Sequence, residues 1–375
     1  MTRTGFDAAH CVVVKAGSSL LQAGDAVIAA IADDIVTLRA RGARVTIVSS
    51  GAVALGRDRL GLPPGSLSLE QKQAAAAAGQ PRLLDLWDRA FAPHGVVTAQ
   101  ALLTLDVTEN RRSWLNARAT LGTLLELGAI PIVNENDTIA TDEIRYGDND
   151  RLAARVAQLT GADLLVLLSD VAALHDADPR TVTAARPLHD IPVIDAAIHA
   201  MAGDANTAAG VGTGGMRTKI LAAELAGSSG CATAIALGTA PNPVLSLARA
   251  DHGSWFHPAR NSANARERWI SGVVSRSGAV RIDAGATHAL LAGKSLLPVG
   301  VRSVDGQFDR GETIRILDPD GRLVARGVSA YCADDARRVA GCRSDEAEAR
   351  LGYRRAAALV HADDIVRVVA PGLDA

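Results

Sequence analysis

The chain has 375 residues, of which 48% are hydrophobic and 21% charged, and its formal net charge is -2. That length points to two domains, and the apolar share is ample for a core in each. A near-neutral balance argues against wholesale nucleic-acid binding, and no run of 18 uncharged apolar residues offers a transmembrane helix.

The N-terminus reaches charged Lys15 after a short apolar run and does not resemble a signal peptide. Cys11, Cys231, Cys332 and Cys342 form no CxxC pair and no metal-ligand spacing. Buried free thiols in a reducing compartment are expected, and with them a cytoplasmic location.

The segment 11–16, CVVVKA, reads as a buried strand running straight into Gly17, Ser18 and Ser19. Val27, Ile31, Ile35 and Leu38 then recur at helical spacing, and 44–50, RVTIVSS, is a second strand ending in Ser-Ser-Gly. A helix is expected near 70–92, with the alanine run at 74–78 in its interior. Further strands are expected at 96–102, 129–134, 163–169 and 231–237, with helices near 108–127, 148–159 and 216–227. This alternation implies right-handed βαβ units and a mostly parallel sheet sandwiched by helices. Ligands of such sheets bind outside the carboxyl ends of the strands.

Near residue 275 the elements become shorter and richer in glycine, with RID, TIRIL, LVARGVSAY and ALVH as strand candidates. A smaller α+β or β-barrel-like module is expected there, dividing the chain into 1–274 and 275–375.

Four strand-end loops carry the chemistry. In the first, Lys15 is followed by Ala16, Gly17, Ser18 and Ser19, and small residues let backbone N–H groups approach an anion while the ammonium adds a point charge. Only four of the 39 basic residues are lysine, so a lysine here stands against the chain's preference for arginine. In the second, Ser49, Ser50 and Gly51 open a helix and suit a carboxylate or phosphate, although ordinary capping by Ser50 explains them equally well. The third, 134–150, mixes Glu135, Asp137, Asp142, Glu143, Asp148 and Asp150 with three asparagines. Such a set suits the ammonium and carboxylate of an amino acid, where a solvated acidic loop is the plainer explanation; it lacks the EF-hand glycine. The fourth, GVGTGGMRTK at 210–219, places glycines before a helix whose first turn holds Lys219, which makes a phosphate cradle without the P-loop ending. A flexible linker would also read this way.

Two lysines from separate strand ends suit a phosphoryl group in flight, whose negative charge spreads over its equatorial oxygens. An acceptor carboxylate is already ionised at neutral pH, so no general base need appear. Phosphoryl transfer from ATP to a small metabolite is the reading these residues support, and a carboxylate acceptor agrees with the absence of a poised histidine.

In VVKAGSS, IVSSGAVALG, AAAGQPRL, WLNARATL, IPIVNENDTIA, GDNDRLAA, DADPR and GTGGMRTK, the chain resembles the glutamate 5-kinases of the amino acid kinase fold. The tail, with VRIDAGATHALLAGKSLLPVG and FDRGETIRI, resembles a PUA domain. The likeness runs in order from Val12 to Ile365. It implies an amino-acid-kinase-like α/β sheet followed by a small PUA-like β-barrel domain. It also implies phosphorylation of L-glutamate by ATP with Mg²⁺, giving L-glutamyl 5-phosphate at the entry to proline biosynthesis. Carried over by residue, Lys15 and Lys219 stabilise the transferring group and Asp150 organises them. Ser50, Asp137 and Asn149 hold glutamate, and Ser169 and Asp170 contact the nucleotide. Thr213, Gly214, Gly215, Met216, Arg217, Thr218 and Lys219 wrap its phosphates. The family further implies proline inhibition, a homo-oligomer and association with glutamyl phosphate reductase. Ala16 departs mildly from the pattern, and Ala173 and His175 replace a common Gly and Tyr.

Other kinases of the same fold would differ at the acceptor loop. RNA binding through the tail is a different class of reading. From Arg276 to Ala357 there are 14 basic and 11 acidic residues, a surplus of 3, and only Phe308, Tyr331 and Tyr353 could stack on bases.

Overall fold

The computed structural model describes residues 3–104, 111–139, 148–179, 181–202, 215–258, 274–352 and 357–367. The chain divides into two compact units, Met1–Ser262 and Ala263–Ala375.

The first unit is built on an eight-stranded sheet. Its strands are β1 (Cys11–Ala16), β2 (Arg44–Ser49), β3 (Thr98–Leu103), β4 (Ile130–Glu135), β5 (Leu164–Ser169), β8 (Asp190–Ile191), β9 (Ala232–Leu237) and β10 (Ser254–Phe256). A separate two-stranded hairpin joins β6 (Leu174–His175) to β7 (Pro187–Leu188). The order across the large sheet is β3-β4-β2-β1-β5-β9-β10-β8, and every pairing is parallel except β10 with β9. Central strands such as CVVVKA and LLVLLS are buried at every position, as expected where both faces are covered.

Alternation along β1 decides what each side chain meets. Val12, Val14 and Ala16 pack with Ile28, Ile31 and Ile35 of helix Asp25–Ala40 and with Leu83 and Trp87 of helix Leu69–Phe91. Cys11 and Val13 pack on the opposite face with Leu152 and Val156 of helix Asp148–Thr160 and Ile220 and Ala223 of helix Met216–Gly227. Lys15 shares the parity of Cys11 and Val13, so its side chain enters the face roofed by those two helices. Parallel pairing puts the carboxyl ends of β1, β2, β4, β5 and β9 on one edge, with Ala16 level with both Ser49 and Leu168.

The second unit holds a five-stranded sheet of β11 (Val274–Ile282), β12 (Val301–Asp305), β13 (Thr313–Leu317), β14 (Leu323–Val328) and β15 (Ile365–Arg367), in the order β12-β11-β13-β14-β15. Its core gathers Val280, Ile282, Ile314, Ile316, Ala325, Leu359 and Val360. The expected strand at ALVH shrinks to one bridge, Val360 with Leu296. Phe308 and Tyr331 lie inside this core, so neither offers a face to a nucleic-acid base; Tyr353 falls outside the described residues. Among the described residues no helix is long and apolar enough to cross a membrane.

Candidate active site

The helices Asp148–Thr160 and Met216–Gly227 start at the carboxyl edge of the sheet, so their first turns overhang the end of β1. Asp150, in one first turn, meets Lys15 from below and Lys219 from the other helix. Lys15 Nζ lies 2.7 Å from Asp150 Oδ1, and Lys219 Nζ lies 3.2 Å from Oδ2. Thr218 donates its hydroxyl to the same Oδ2 at 2.8 Å. All three charged groups are shut from bulk water, with exposures of 7% for Lys15, 1% for Asp150 and 4% for Lys219.

Burial alone would push the Asp150 carboxyl up, but the two ammonium groups and the Thr218 hydrogen bond outweigh it and hold the carboxyl well below the usual range. Burial pushes the Lys219 ammonium down; Asp150 opposes this and the charge of Lys15 adds to it. Two cations and one anion leave a net positive corner in a low-dielectric setting, which is a place for negative charge to develop.

A second polar cluster adjoins the first, since Asn149 precedes Asp150. Asn149 donates its amide to Ser50 Oγ at 2.7 Å and to Asn134 Oδ1 at 3.3 Å. Asn149 Oδ1 is buried and finds no hydrogen-bond partner among the described residues, which leaves an acceptor in place for a bound group. Ser50 follows β2, and its N–H donates to the carbonyl of Ala16 at the end of β1. Gly51 then turns the chain into helix Ala52–Arg59 at φ 111°, a left-handed conformation that L side chains resist.

The remaining expected residues lie on the same edge. Asp137 is half-buried in the turn after β4, and Ser169 and Asp170 close β5, where Ser169 donates to Asp170 at 3.0 Å. The charge of Asp170 acts on Lys219. Gly215 caps helix Met216–Gly227 without a side-chain hydrogen bond, and the Thr218 N–H donates to the Gly215 carbonyl at 3.2 Å. Met216 packs on the core and Arg217 is exposed. Thr213 and Gly214 lie outside the described residues. Ala173 is buried, and His175 Nδ1 sits 3.1 Å from the Ala173 carbonyl within the small hairpin.

The Amino acid kinase family profile matches residues 10–236, and that of the PUA domain matches residues 278–351. The chain is 53% identical to a glutamate 5-kinase of Caulobacter vibrioides over 366 residues, 96% of this chain and 97% of that one. It is 50% identical to the glutamate 5-kinase of Agrobacterium fabrum over 371 residues, covering 98% and 95% of the two chains. This chain belongs to the amino acid kinase family, among its glutamate 5-kinases. A third relative, the glutamate 5-kinase of Dinoroseobacter shibae, is 52% identical over 96% of this chain and 99% of its own.

In this member of the glutamate 5-kinases, one polar residue near the Ser50–Asn149 pair escapes a reading of loops alone. Gln80 lies inside a helix, and its signal is a lone amide within AAAGQPRL. Asn134, one of the three asparagines of 134–150, lies inside a strand that is buried throughout.

Proposed function

We propose that this chain transfers the γ-phosphoryl group of ATP to the side-chain carboxylate of L-glutamate, forming L-glutamyl 5-phosphate and ADP, the first step of proline biosynthesis. The observation that carries this reading is the buried Lys15–Asp150–Lys219 bridge beside the Ser50–Asn149 pair. The glutamate 5-kinase relatives, alike over nearly the whole chain, supply the acceptor.

In this account Lys15 and Lys219 neutralise the charge that spreads over the transferring group, and Asp150 sets their separation. Ser50 and Asn149 hold glutamate, and Asp137 faces its ammonium. The glutamate carboxylate attacks phosphorus already ionised, and the bond to the β–γ bridging oxygen breaks with its electrons leaving on ADP. Ser169 and Asp170 contact the nucleotide, and the segment from Thr213 to Lys219 binds its phosphates.

Asp150 is committed to two ammonium groups. Mg²⁺ would come with ATP and be held by its phosphates, which suits an ion that keeps its waters. The first unit carries the catalytic domain and the second the PUA-like domain. The protein works in the cytoplasm as a homo-oligomer, is inhibited by proline, and passes its labile product to glutamyl phosphate reductase.

The test is ATP-dependent phosphorylation of glutamate with Mg²⁺, the product trapped as its hydroxamate, with and without proline. Turnover suppressed by proline supports the reading; a folded, ATP-binding protein silent toward glutamate overturns the choice of acceptor.

A further inference from the structure

The acceptor cluster is held from beneath by one helix that the mechanism does not use. Helix Leu69–Phe91 presents Ala76, Gly79, Gln80, Leu83 and Trp87 to the sheet at helical spacing. Most of this stripe is apolar, as packing requires. Gln80 is not, although it is only 7% exposed. Its Oε1 accepts from Asn134 Nδ2 at 2.9 Å, and Asn134 Oδ1 in turn accepts from Asn149, which holds Ser50. Two turns further on, Trp87 Nε1 donates to Ser49 Oγ at 3.0 Å, one residue before Ser50.

The helix can make both contacts because it sits unusually close to its neighbour. A Cβ on Gly56 would overlap the carbonyl of Ala75, and one on Gly79 would overlap the carbonyl of Ala52. Helix Ala52–Arg59, which begins at the Ser50–Gly51 loop, is thereby pressed directly against the residue before Gln80. Stability alone does not account for Gln80. Its Nε2 is buried with no hydrogen-bond partner among the described residues, so what holds the side chain in place is the bond its Oε1 accepts from Asn134. A buried polar group kept at a cost is expected where a site needs its orientation.

We infer that Gln80 is a positioning residue for the acceptor site. It fixes which way the Asn134 amide faces, so that Asn134 presents oxygen to Asn149 and Asn149 keeps its own oxygen turned to the bound substrate. The inference rests on the acceptor reading above and adds to it a residue that need not touch substrate.

Two substitutions separate this role from packing. Gln80→Leu fills the space but removes the acceptor oxygen; Gln80→Glu keeps that oxygen and buries a carboxyl. The relay predicts that Q80L raises KM for glutamate about tenfold, the loss of one buried hydrogen bond, with kcat and KM for ATP within about twofold of wild type. Q80L moves Tm little, since it removes one orphaned donor, Gln80 Nε2, and creates another in Asn134 Nδ2. Q80E recovers most of the glutamate KM while its Tm falls. A packing role predicts the reverse order, with Q80L benign and Q80E the more damaged in KM. Wild-type KM for glutamate in Q80L, or an equal rise in KM for ATP, overturns the inference. Should Q80E fail to fold, Q80L decides by itself. If wild type ignores glutamate, the proposed function falls, and the same KM comparison is made on the carboxylate or carbamate acceptor that it does phosphorylate.

Discussion

Lys15 stands 2.7 Å from Asp150, an ion pair closed to water on both sides. The pair joins the end of a central strand to the first turn of the helix above it, and Lys219 completes it from a second helix. An isolated buried carboxylate would be costly, and so would two buried ammonium groups facing each other. The two ammonium groups keep the Asp150 carboxyl ionised in spite of its burial.

Asp150→Asn removes the charge and leaves the shape. Two ammonium groups then face each other without compensation, and breaking such a pair costs about 3–5 kcal/mol. For a unit of this size that corresponds to a fall in Tm of about 10 °C, and turnover falls at least about a hundredfold. Calorimetry of both proteins checks the first and initial rates the second. The Asp150 carboxyl titrates below its unfolded value, so its contribution is complete above that value and is lost as pH falls through the folded one. The Tm gap between wild type and D150N therefore persists down to about pH 4 and closes only below it.

Under the proposed mechanism, Lys219 is expected to set the alkaline limit of turnover. Burial lowers its pKa, so kcat falls with rising pH at a midpoint below the ordinary lysine value of about 10.4. Stability moves the other way through that window, because the fold binds the Lys219 proton less tightly than the unfolded chain does. A pH–rate profile with a parallel melting series distinguishes the two. An alkaline limb that coincides with falling Tm would assign the loss to unfolding instead.

Gly51→Ala tests the hinge of the acceptor loop. The φ of 111° strains any L residue by about 1–3 kcal/mol, and the new Cβ would meet Leu21 Cδ2 at 3.3 Å. Reduced Tm and a KM for glutamate raised more than that for ATP are expected, since Ser50 precedes the strained residue. Equal effects on both substrates would place Gly51 in general packing.

Much of this was legible before any coordinates. The strands at 11–16 and 163–169 are dense in β-branched residues or leucine, and a strand buried on both faces needs no alternation to be seen. The lysines stood out because the chain otherwise prefers arginine. Strands of two or three residues, β6, β7, β8 and β10, carry no period and were not read; β10, antiparallel to β9, interrupts an otherwise parallel sheet. The strand expected at 96–102 begins at Thr98 because Val97, apolar but 67% exposed, belongs to the connection before it. Of the candidate site, the strand-end loops are legible in the sequence, with Asn134 among the asparagines of 134–150. Gln80 is not, because its meaning lies in a contact between a helix and a strand 54 positions apart.

If the two buried lysines act on a phosphoryl group passing to glutamate, Lys219→Arg is the substitution that shows it. Arginine keeps the charge, but a planar fork replaces a compact ammonium that is 4% exposed and must reach Asp150. Hydroxamate formation from glutamate and ATP is measured in wild type and K219R, alongside Tm. The account predicts robust product in wild type and at least about a hundredfold less in K219R with the fold retained. Wild-type turnover in K219R would contradict it.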